Sequence, residues 1–269
     1  MAKRHLIALD LDGTLLLKNQ EISPRTKTAL MKAKKKGHVI AIATGRPYRA
    51  SKRYYQELQL TTPIINFNGA SVHHPLDAHY PRILESIPLA YSKELIKRCE
   101  TIGVFNMMVE IGDTFYMKKQ AGFFAEFLTD GIEPAGTGEL HVLVKEAPTA
   151  ILIEPKPEKV NVLHDTLQQT GTETTLQRWW KGETRILEIA PRNVTKATAL
   201  EKIANDYGID QGNVIAFGDE ENDYEMIEYA GHGVAMGNAI NEIKAVADYV
   251  TETNENDGIA YYLEKVLHL

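Results

Sequence analysis

The sequence predicts an α/β fold with two parts: a Rossmann-like core domain containing a parallel sheet, and a second, α+β domain inserted into it. Short continuous apolar runs alternate with helix-like segments near both ends of the chain, which is typical of a buried parallel sheet covered by helices. Between these regions, strands follow strands as well as helices, which indicates a different architecture. A chain of 269 residues also has room for about two domains.

The N-terminal region supplies the first strands and helices of the predicted core. The apolar run at residues 6–9 predicts a buried strand, and Ser23 followed by Pro24 predicts the N-cap and first turn of a helix. The β-branched run HVIAIATGR predicts a second strand that ends at Thr44-Gly45-Arg46. The elements expected next are a helix over residues 47–58 and a third buried strand within PIINFNGA.

The middle of the chain predicts the inserted α+β domain, at residues 84–188. We expect a hairpin around Gly112-Asp113, and TAILIEP and TRILEIAP predict further strands. From Thr195 the alternation of helix and strand returns, with the apolar run NVIAFGDEEND as another buried strand. Residues 1–83 and 189–269 are therefore assigned to one core domain built from both ends of the chain.

Composition limits the class of partner. The net charge is −6, which argues against broad nucleic-acid binding because that usually needs a basic face. No apolar run approaches the ~18 residues of a membrane helix, and acids interrupt the N-terminal apolar run too early for a signal peptide. The single cysteine, Cys99, allows no intramolecular disulfide. We expect a cytoplasmic protein without a membrane or nucleic-acid partner.

Polar residues follow the predicted core strands. Asp10 and Asp12 come after the first strand, Thr44 after the second, and Asp219 after NVIAFG. Ligand sites of open parallel sheets lie beyond the carboxyl ends of the strands, so we expect these residues to converge. Residues two apart on a strand point to the same side, so Asp10 and Asp12 are expected to share one face.

Three carboxylates in one place need a positive partner, because unpaired carboxylates repel and are costly to bury. Asp10, Asp12 and Asp219 offer only hard oxygen ligands, and no Cys or His joins them. This donor set favours Mg²⁺ over Zn²⁺. The sequence therefore predicts a magnesium site.

Magnesium with carboxylates indicates phosphate chemistry. No GxxxxGK[ST] motif is present, which leaves water or a side chain as the nucleophile. Asp10 is the better-held candidate, and Asp12 is placed to give a proton to the leaving oxygen and later to take one from water. The candidate phosphate-binding groups are the Thr44 hydroxyl, the Gly45 backbone N–H, the Lys196 ammonium and the Asn222 amide.

These motifs together resemble the haloacid dehalogenase-like superfamily of phosphatases. The resemblance rests on DLDGTLL, ATGR, a lysine at the head of a late helix, and GDEENDYEMI, in that order. NFNGA, MGNA and TETNENDG resemble the Cof-type branch, which carries a large α+β cap (type IIB). One departure is Ala197, since this branch usually has glycine after the lysine; we expect only a small change in packing.

The resemblance implies Mg²⁺-dependent phosphoryl transfer to water and a role for each matching residue. Residues 84–188 would be the cap that closes over the site and selects the substrate. The implied roles are Asp10 as nucleophile and metal ligand, Asp12 as acid/base with its backbone carbonyl on the metal, Asp219 as metal ligand, Asp223 as its support, and Thr44, Gly45, Lys196, Asn222 and the Leu11 amide as phosphate-binding groups.

Three functions stay open at this point. The first is a phosphatase of small phosphorylated metabolites, with sugar phosphates ahead of phosphorylated cofactors. The second is a phosphomutase of sugar monophosphates, which would release no phosphate. The third is a non-enzymatic signalling phosphoacceptor, although such domains are much shorter. We expect a monomer or weak homo-oligomer.

Overall fold

The structure is a computed structural model that describes residues 3–128, 131–168, 173–180 and 185–269. The chain forms two compact units. The first combines Met1–Ile83 with Val194–Leu269, and the second is Leu84–Asn193. Each unit is described by itself.

The first stretch of the chain supplies two strands of the core sheet and the helices that follow them. Ser23 Oγ accepts the backbone N–H of Thr26 at 3.1 Å, and Pro24 is the first helical residue, so the predicted N-cap is confirmed. The elements are β1 (Leu6–Leu9), α1 (Pro24–Lys35), β2 (Val39–Ile42), α2 (Tyr48–Glu57), β3 (Ile64–Asn66), β4 (Ser71–His73) and β5 (Ile83–Leu84).

The second unit is built around a mixed, mostly antiparallel sheet. Its elements are α3 (Leu89–Ile102), β6 (Asn106–Ile111), β7 (Thr114–Met117), β8 (Gly136–Thr137), α4 (Leu140–Leu143), β9 (Ala150–Glu154), α5 (Val160–Gln168), β10 (Thr175–Trp179) and β11 (Leu187–Pro191). Among the described residues the strand order is β10-β11-β9-β6-β7-β8. The predicted hairpin at Gly112-Asp113 joins β6 to β7.

Both faces of this second sheet carry apolar side chains. Along β6, Met107 and Val109 belong to one buried cluster, whereas Met108 belongs to another. Successive residues of a strand point to opposite faces, so a sheet that is apolar on both faces explains the uninterrupted apolar runs. We predicted from the sequence that this domain ends at residue 188. The compact unit extends to Asn193. The extra residues belong to it because β11 pairs with both β9 and β10.

The last stretch returns to the first unit. Its elements are α6 (Lys196–Asp206), β12 (Val214–Gly218), α7 (Tyr224–Tyr229), β13 (His232–Ala235), α8 (Asn241–Val246), β14 (Tyr249–Val250) and α9 (Gly258–Leu267). Strands from the two ends of the chain share one sheet with the order β14-β13-β12-β1-β2 in the described part of the chain. All of its pairings are parallel. The predicted Rossmann-like parallel core is confirmed.

The register of this sheet fixes where the chain leaves each central strand. Leu9, the last residue of β1, lies opposite Phe217 of β12 and Ile42 of β2. The three strands are therefore level at their carboxyl ends, and the residues that follow them emerge at one edge. Every residue of β1, β2 and β12 is buried, as expected of a parallel sheet covered on both faces.

In the described part of the chain, no helix is both long enough and apolar enough to cross a membrane.

Candidate active site

The turn after β1 sets the positions of the two leading aspartates. The strand ends at Leu9, and the chain turns at once: the backbone N–H of Leu15 donates to the Asp10 carbonyl at 3.2 Å, and that of Leu16 donates to the Leu11 carbonyl at 2.9 Å. Asp10 is only 5 % exposed. Asp12 therefore does not lie on an extended strand, and the rule that residues two apart share a face does not apply to it.

The Asp12 carboxylate is paired with Arg46. Arg46 Nε donates to Asp12 Oδ2 at 2.7 Å, and Nη2 contacts Asp12 Oδ1 and the side chain of Gln20. The Asp12 side chain is 54 % exposed. Burial is the main cause of the raised pKa of Asp10, and repulsion from Asp12 adds to it, so the two carboxylates interact although Asp12 is paired with Arg46. Their convergence on one ligand stays a prediction.

The carboxylate that joins Asp10 and Asp219 is Asp223. Each of the three offers an oxygen, and these oxygens lie within 4.8 Å of one another. Lys196, the first residue of α6, reaches into this group: its Nζ lies 2.5 Å from Asp10 Oδ1 and 2.7 Å from Asp223 Oδ1. The lysine is completely buried. One edge of the sheet thus holds three carboxylates and one ammonium.

This group has more negative than positive charge, and the pKa values of its side chains are shifted as a result. Burial raises the pKa of Asp10 well above its ordinary value, and Lys196 only partly counteracts this effect. Burial likewise raises the pKa of Asp219 to about 7, with further increases from Asp223 and Glu220 against the lowering effect of the Thr14 hydrogen bond. Burial alone would lower the pKa of Lys196, but Asp10 and Asp223 raise it. One ammonium does not compensate three buried carboxylates.

Asp223 organises the turn that follows β12. Its Oδ2 accepts the backbone N–H groups of Asp219 at 2.9 Å and Glu220 at 3.2 Å, while Oδ1 receives the Lys196 ammonium. Asp223 is fully buried. Both oxygens are therefore engaged by protein donors, which suits a residue that supports the cluster more than one that binds a ligand directly.

The turn after β1 also holds Asp219 in place. Thr14 Oγ1 donates to Asp219 Oδ1 at 2.7 Å. Gly13 has a φ of +77°, and a Cβ at this position would lie 2.2 Å from Asp219 Oδ2. Glycine is required here for two reasons, since L side chains rarely adopt this φ and there is no space for a methyl group.

The remaining predicted residues lie on neighbouring loops of the same unit. Thr44 follows β2, is buried, and accepts the backbone N–H of Arg46 on Oγ1 at 3.1 Å. Asn222 lies in the short 3₁₀ helix Glu221–Asp223 after β12, and its Nδ2 donates to Asn68 Oδ1 at 2.9 Å. Leu11 is buried in the turn after Asp10. Gly45 approaches the Asn68 carboxamide, since a Cβ there would lie 3.1 Å from Asn68 Oδ1.

Three residues of this site were not singled out by reasoning from the sequence: Thr14, Arg46 and Asn68. Each is adjacent to or within a motif that was noticed, namely DLDGTLL, ATGR and NFNGA. Their partners lie 205, 34 and 154 positions away along the chain. The motifs therefore pointed to the right segments of the chain, but the contacts that define the roles of these three residues depend on the tertiary fold.

Buried oxygen ligands, a lysine and a backbone loop at one sheet edge can hold a divalent cation and an anion together. A comparison of the sequence with known families agrees with this arrangement: the family of haloacid dehalogenase-like hydrolases matches residues 7–263. The chain belongs to this family. The predicted resemblance is confirmed.

Several relatives of the chain within the haloacid dehalogenase-like family are named as phosphatases. The chain is 41% identical to the 5-amino-6-(5-phospho-D-ribitylamino)uracil phosphatase YitU of Bacillus subtilis, over 99% of both chains. It is 32% identical to the pyridoxal phosphate phosphatase YbhA of Escherichia coli, over 96% of this chain and 97% of the relative. The subclass IIB sugar phosphatase BT4131 superposes with a TM-score of 0.81 at 26% identity, covering 98% of this chain and all of the other. This member of the family is a phosphatase.

Proposed function

We propose that the protein hydrolyses small phosphorylated metabolites in a Mg²⁺-dependent reaction that passes through an aspartyl phosphate on Asp10. The observation that carries this proposal is the position of Asp10. It is a buried carboxylate at the edge of the parallel sheet, held by Lys196 at 2.5 Å and adjacent to Asp219 and Asp223. A carboxylate fixed in this way is suited to nucleophilic attack on phosphorus.

The residues present fit a magnesium ion. The cluster Asp10, Asp219 and Asp223 contains only hard oxygen donors, and its excess negative charge is what a divalent cation would neutralise. Because both Asp223 oxygens already accept hydrogen bonds from the protein, we assign the ion to Asp10, Asp219 and the backbone carbonyl of Asp12. When bound, Mg²⁺ would neutralise developing charge on the phosphoryl oxygens.

In the first half-reaction, Asp10 attacks the phosphorus of the substrate. Lys196 contacts Oδ1, so we propose Oδ2 as the attacking atom. The new oxygen–phosphorus bond forms as the bond to the leaving oxygen breaks, and protonated Asp12 donates its proton to that oxygen. Because Asp12 is paired with Arg46 in this structure, the pair must open for the proton transfer to occur.

In the second half-reaction, water replaces the enzyme on phosphorus. Asp12, now a carboxylate, accepts a proton from water as the water oxygen attacks the phosphorus of the aspartyl phosphate. The bond between Asp10 and phosphorus breaks, inorganic phosphate leaves, and both aspartates return to their starting states. Thr44, Gly45, Lys196, Asn222 and the Leu11 amide are proposed to hold the phosphoryl oxygens through both steps.

The substrates of the relatives guide the choice of substrate class. YitU is named for a phosphorylated ribitylaminouracil and YbhA for pyridoxal phosphate. We therefore place phosphorylated cofactors and their precursors ahead of simple sugar phosphates, in contrast to the order expected from the sequence. We also propose that the second unit, Leu84–Asn193, selects the substrate, and that the protein acts in the cytoplasm.

Phosphate release from a panel of phosphorylated metabolites tests this proposal. The panel contains 5-amino-6-(5-phospho-D-ribitylamino)uracil, pyridoxal phosphate, sugar monophosphates and p-nitrophenyl phosphate, each with Mg²⁺ and with EDTA. We expect Mg²⁺-dependent release, fastest with a phosphorylated cofactor or precursor. Conversion of a sugar monophosphate without phosphate release would favour the phosphomutase alternative, and stable phosphate on Asp10 without turnover would favour the phosphoacceptor.

A further inference from the structure

A turn of unusual backbone conformation follows β3. Phe67, Asn68 and Gly69 have φ values of 50°, 54° and 109°. Left-handed conformations are unfavourable for residues with a Cβ, most of all for bulky ones such as Phe, and persist only where the surroundings impose them. Two such residues in succession at the carboxyl end of a strand therefore indicate a turn that is held in place by specific contacts.

The turn contacts the elements that carry the proposed phosphate-binding residues. The Asn68 backbone N–H donates to the Thr44 carbonyl at 3.0 Å. On the other side, Gly69 packs against the carbonyl of Thr195, the residue that precedes Lys196; a Cβ on Gly69 would lie 2.2 Å from that oxygen. The strained turn thus lies between the loop after β2 and the start of α6.

The Asn68 side chain connects the same turn to the loop after β12. Its Oδ1 accepts a hydrogen bond from Asn222 Nδ2 at 2.9 Å, and Asn68 is 8 % exposed. A carboxamide carries its two donors on one end and its acceptor on the other. Because Asn68 engages one N–H of Asn222, it determines how the amide of Asn222 is rotated and where the second N–H points.

We propose that Asn68 is a positioning residue of the phosphate site: it orients the Asn222 amide so that the remaining N–H is directed at a phosphoryl oxygen. This inference rests on the proposed role of Asn222 in holding phosphate. A purely structural role is the competing explanation, in which the Asn68 carboxamide only completes the turn. The two differ in what removal of the side chain does to phosphate affinity.

The substitution Asn68→Gly separates the two roles. Glycine adopts the left-handed conformation without strain, so the turn is retained while the carboxamide is removed. For the folded variant we expect the inhibition constant for inorganic phosphate and the KM for p-nitrophenyl phosphate to rise about tenfold, the effect of losing one well-directed hydrogen bond to a charged group. The change in kcat is expected to be smaller, and Tm to stay within a few degrees of the wild-type value.

Gln59→Gly is the matched control. Gln59 is exposed, has a φ of 50°, and follows the carboxyl end of α2, so it undergoes the same type of substitution outside the proposed site. We expect its phosphate inhibition constant to equal that of the wild type. An equal rise in both variants would overturn the inference, because the effect would then come from the backbone change and not from the Asn68 carboxamide.

A double-mutant cycle with Asn222→Ala tests whether Asn68 acts through Asn222. If it does, Asn68→Gly changes phosphate affinity little in the Asn222→Ala background. Additive effects, an unchanged phosphate inhibition constant in Asn68→Gly, or loss of folded protein in that variant would each overturn the positioning role. If wild-type protein shows neither turnover nor a phosphate-dependent rise in Tm, the proposed function fails and this inference fails with it.

Discussion

The ammonium of Lys196 lies 2.5 Å from Asp10 Oδ1 and is completely buried. The two residues are 186 positions apart in the sequence, and they meet because α6 begins at the edge of the sheet where β1 ends. A buried ion pair of this kind gives little net stability, because desolvation offsets the attraction. In the proposed mechanism, the pair holds the attacking carboxylate and a phosphate-binding cation at a fixed separation.

Replacement of the lysine should be costly for both stability and activity. Lys196→Met leaves Asp10, Asp219 and Asp223 buried without their ammonium. We expect a loss of about 3–5 kcal/mol in the free energy of unfolding measured in EDTA, because one partner of a buried ionic group is removed. Phosphate release should fall at least ~10²-fold, as for loss of a group that stabilises developing charge.

Lys202→Met is the control for this prediction. Lys202 is on the same helix and pairs with Asp206 at 2.7 Å, but its side chain is 30% exposed. We expect its effect on the free energy of unfolding to stay below about 1 kcal/mol, as is usual for a surface ion pair, with normal activity. Equal losses in the two variants would contradict the distinct role assigned to Lys196.

Gly13→Ala should disturb Asp219 directly. A Cβ at this position would lie 2.2 Å from Asp219 Oδ2, and φ is +77°. The matched control is Gly37→Ala, which has a φ of +90° and no atom within 4 Å of the added Cβ. We expect Gly37→Ala to lose about 1 kcal/mol of stability through backbone strain alone and to remain fully active.

In Gly13→Ala we expect, beyond the loss of stability, a tenfold or greater rise in the Mg²⁺ concentration needed for half-maximal activity, an order-of-magnitude estimate for a displaced ligand. The measurement is a magnesium titration of phosphate release for both variants. Matching magnesium curves would show that Gly13 acts only through its backbone conformation.

The pKa of Asp219 predicts a pH dependence of stability. In the folded protein, burial raises this pKa from 3.8 to about 7. Between about pH 4 and 7 the folded state therefore holds a proton that the unfolded state has lost, so stability in EDTA should fall as the pH rises through this window. The proposed Mg²⁺ ion would bind the ionised carboxylate, so the rise in Tm on adding Mg²⁺ should grow over the same window.

Asp219→Asn isolates this contribution from that of the other titratable groups. We expect the Tm difference between wild type and this variant, measured in EDTA, to change between about pH 4 and 7 and then to level off. The variant should also show a much smaller Tm rise with Mg²⁺. Parallel curves for the two proteins would show that Asp219 does not titrate in this range.

Asp12→Asn should slow both half-reactions, but not equally for every substrate. p-Nitrophenolate is a good leaving group that needs little protonation, so the first step with p-nitrophenyl phosphate should be less affected than with an alkyl phosphate. The second step still needs a base. We expect kcat to fall about 10²–10⁴-fold and phosphorylated protein to accumulate with p-nitrophenyl phosphate, as detected by rapid quench and mass spectrometry. Near-normal rates with both substrates would remove Asp12 from the mechanism.

Much of the fold could be predicted because its signals are local. The apolar runs that became β1, β2 and β12, and the Ser23-Pro24 helix start, are short patterns with a direct physical meaning. Placement of Asp10 and Asp219 at one edge followed from the rule for parallel sheets. The direction of the Asp12 side chain did not follow, because it depends on where β1 ends and on a partner, Arg46, in another loop.

The role of Asn68 could not be predicted from the sequence for the same reason. Its motif was visible, but its left-handed conformation and its bond to Asn222 exist only once β3, α6 and the loop after β12 are assembled. The sequence indicated which residue types belong to the site. The hydrogen bonds that orient them were set by the tertiary structure.

The central claim is that Asp10 is the nucleophile, and its most direct test is chemical capture of the intermediate. Wild-type protein and Asp10→Asn are mixed with substrate and Mg²⁺, quenched in acid within milliseconds, digested, and examined by mass spectrometry. We predict one added phosphoryl group on the wild-type peptide that contains Asp10, and neither phosphate release nor phosphorylation in Asp10→Asn, which should fold normally because Asn is nearly isosteric. Sustained phosphate release by folded Asp10→Asn would contradict the account.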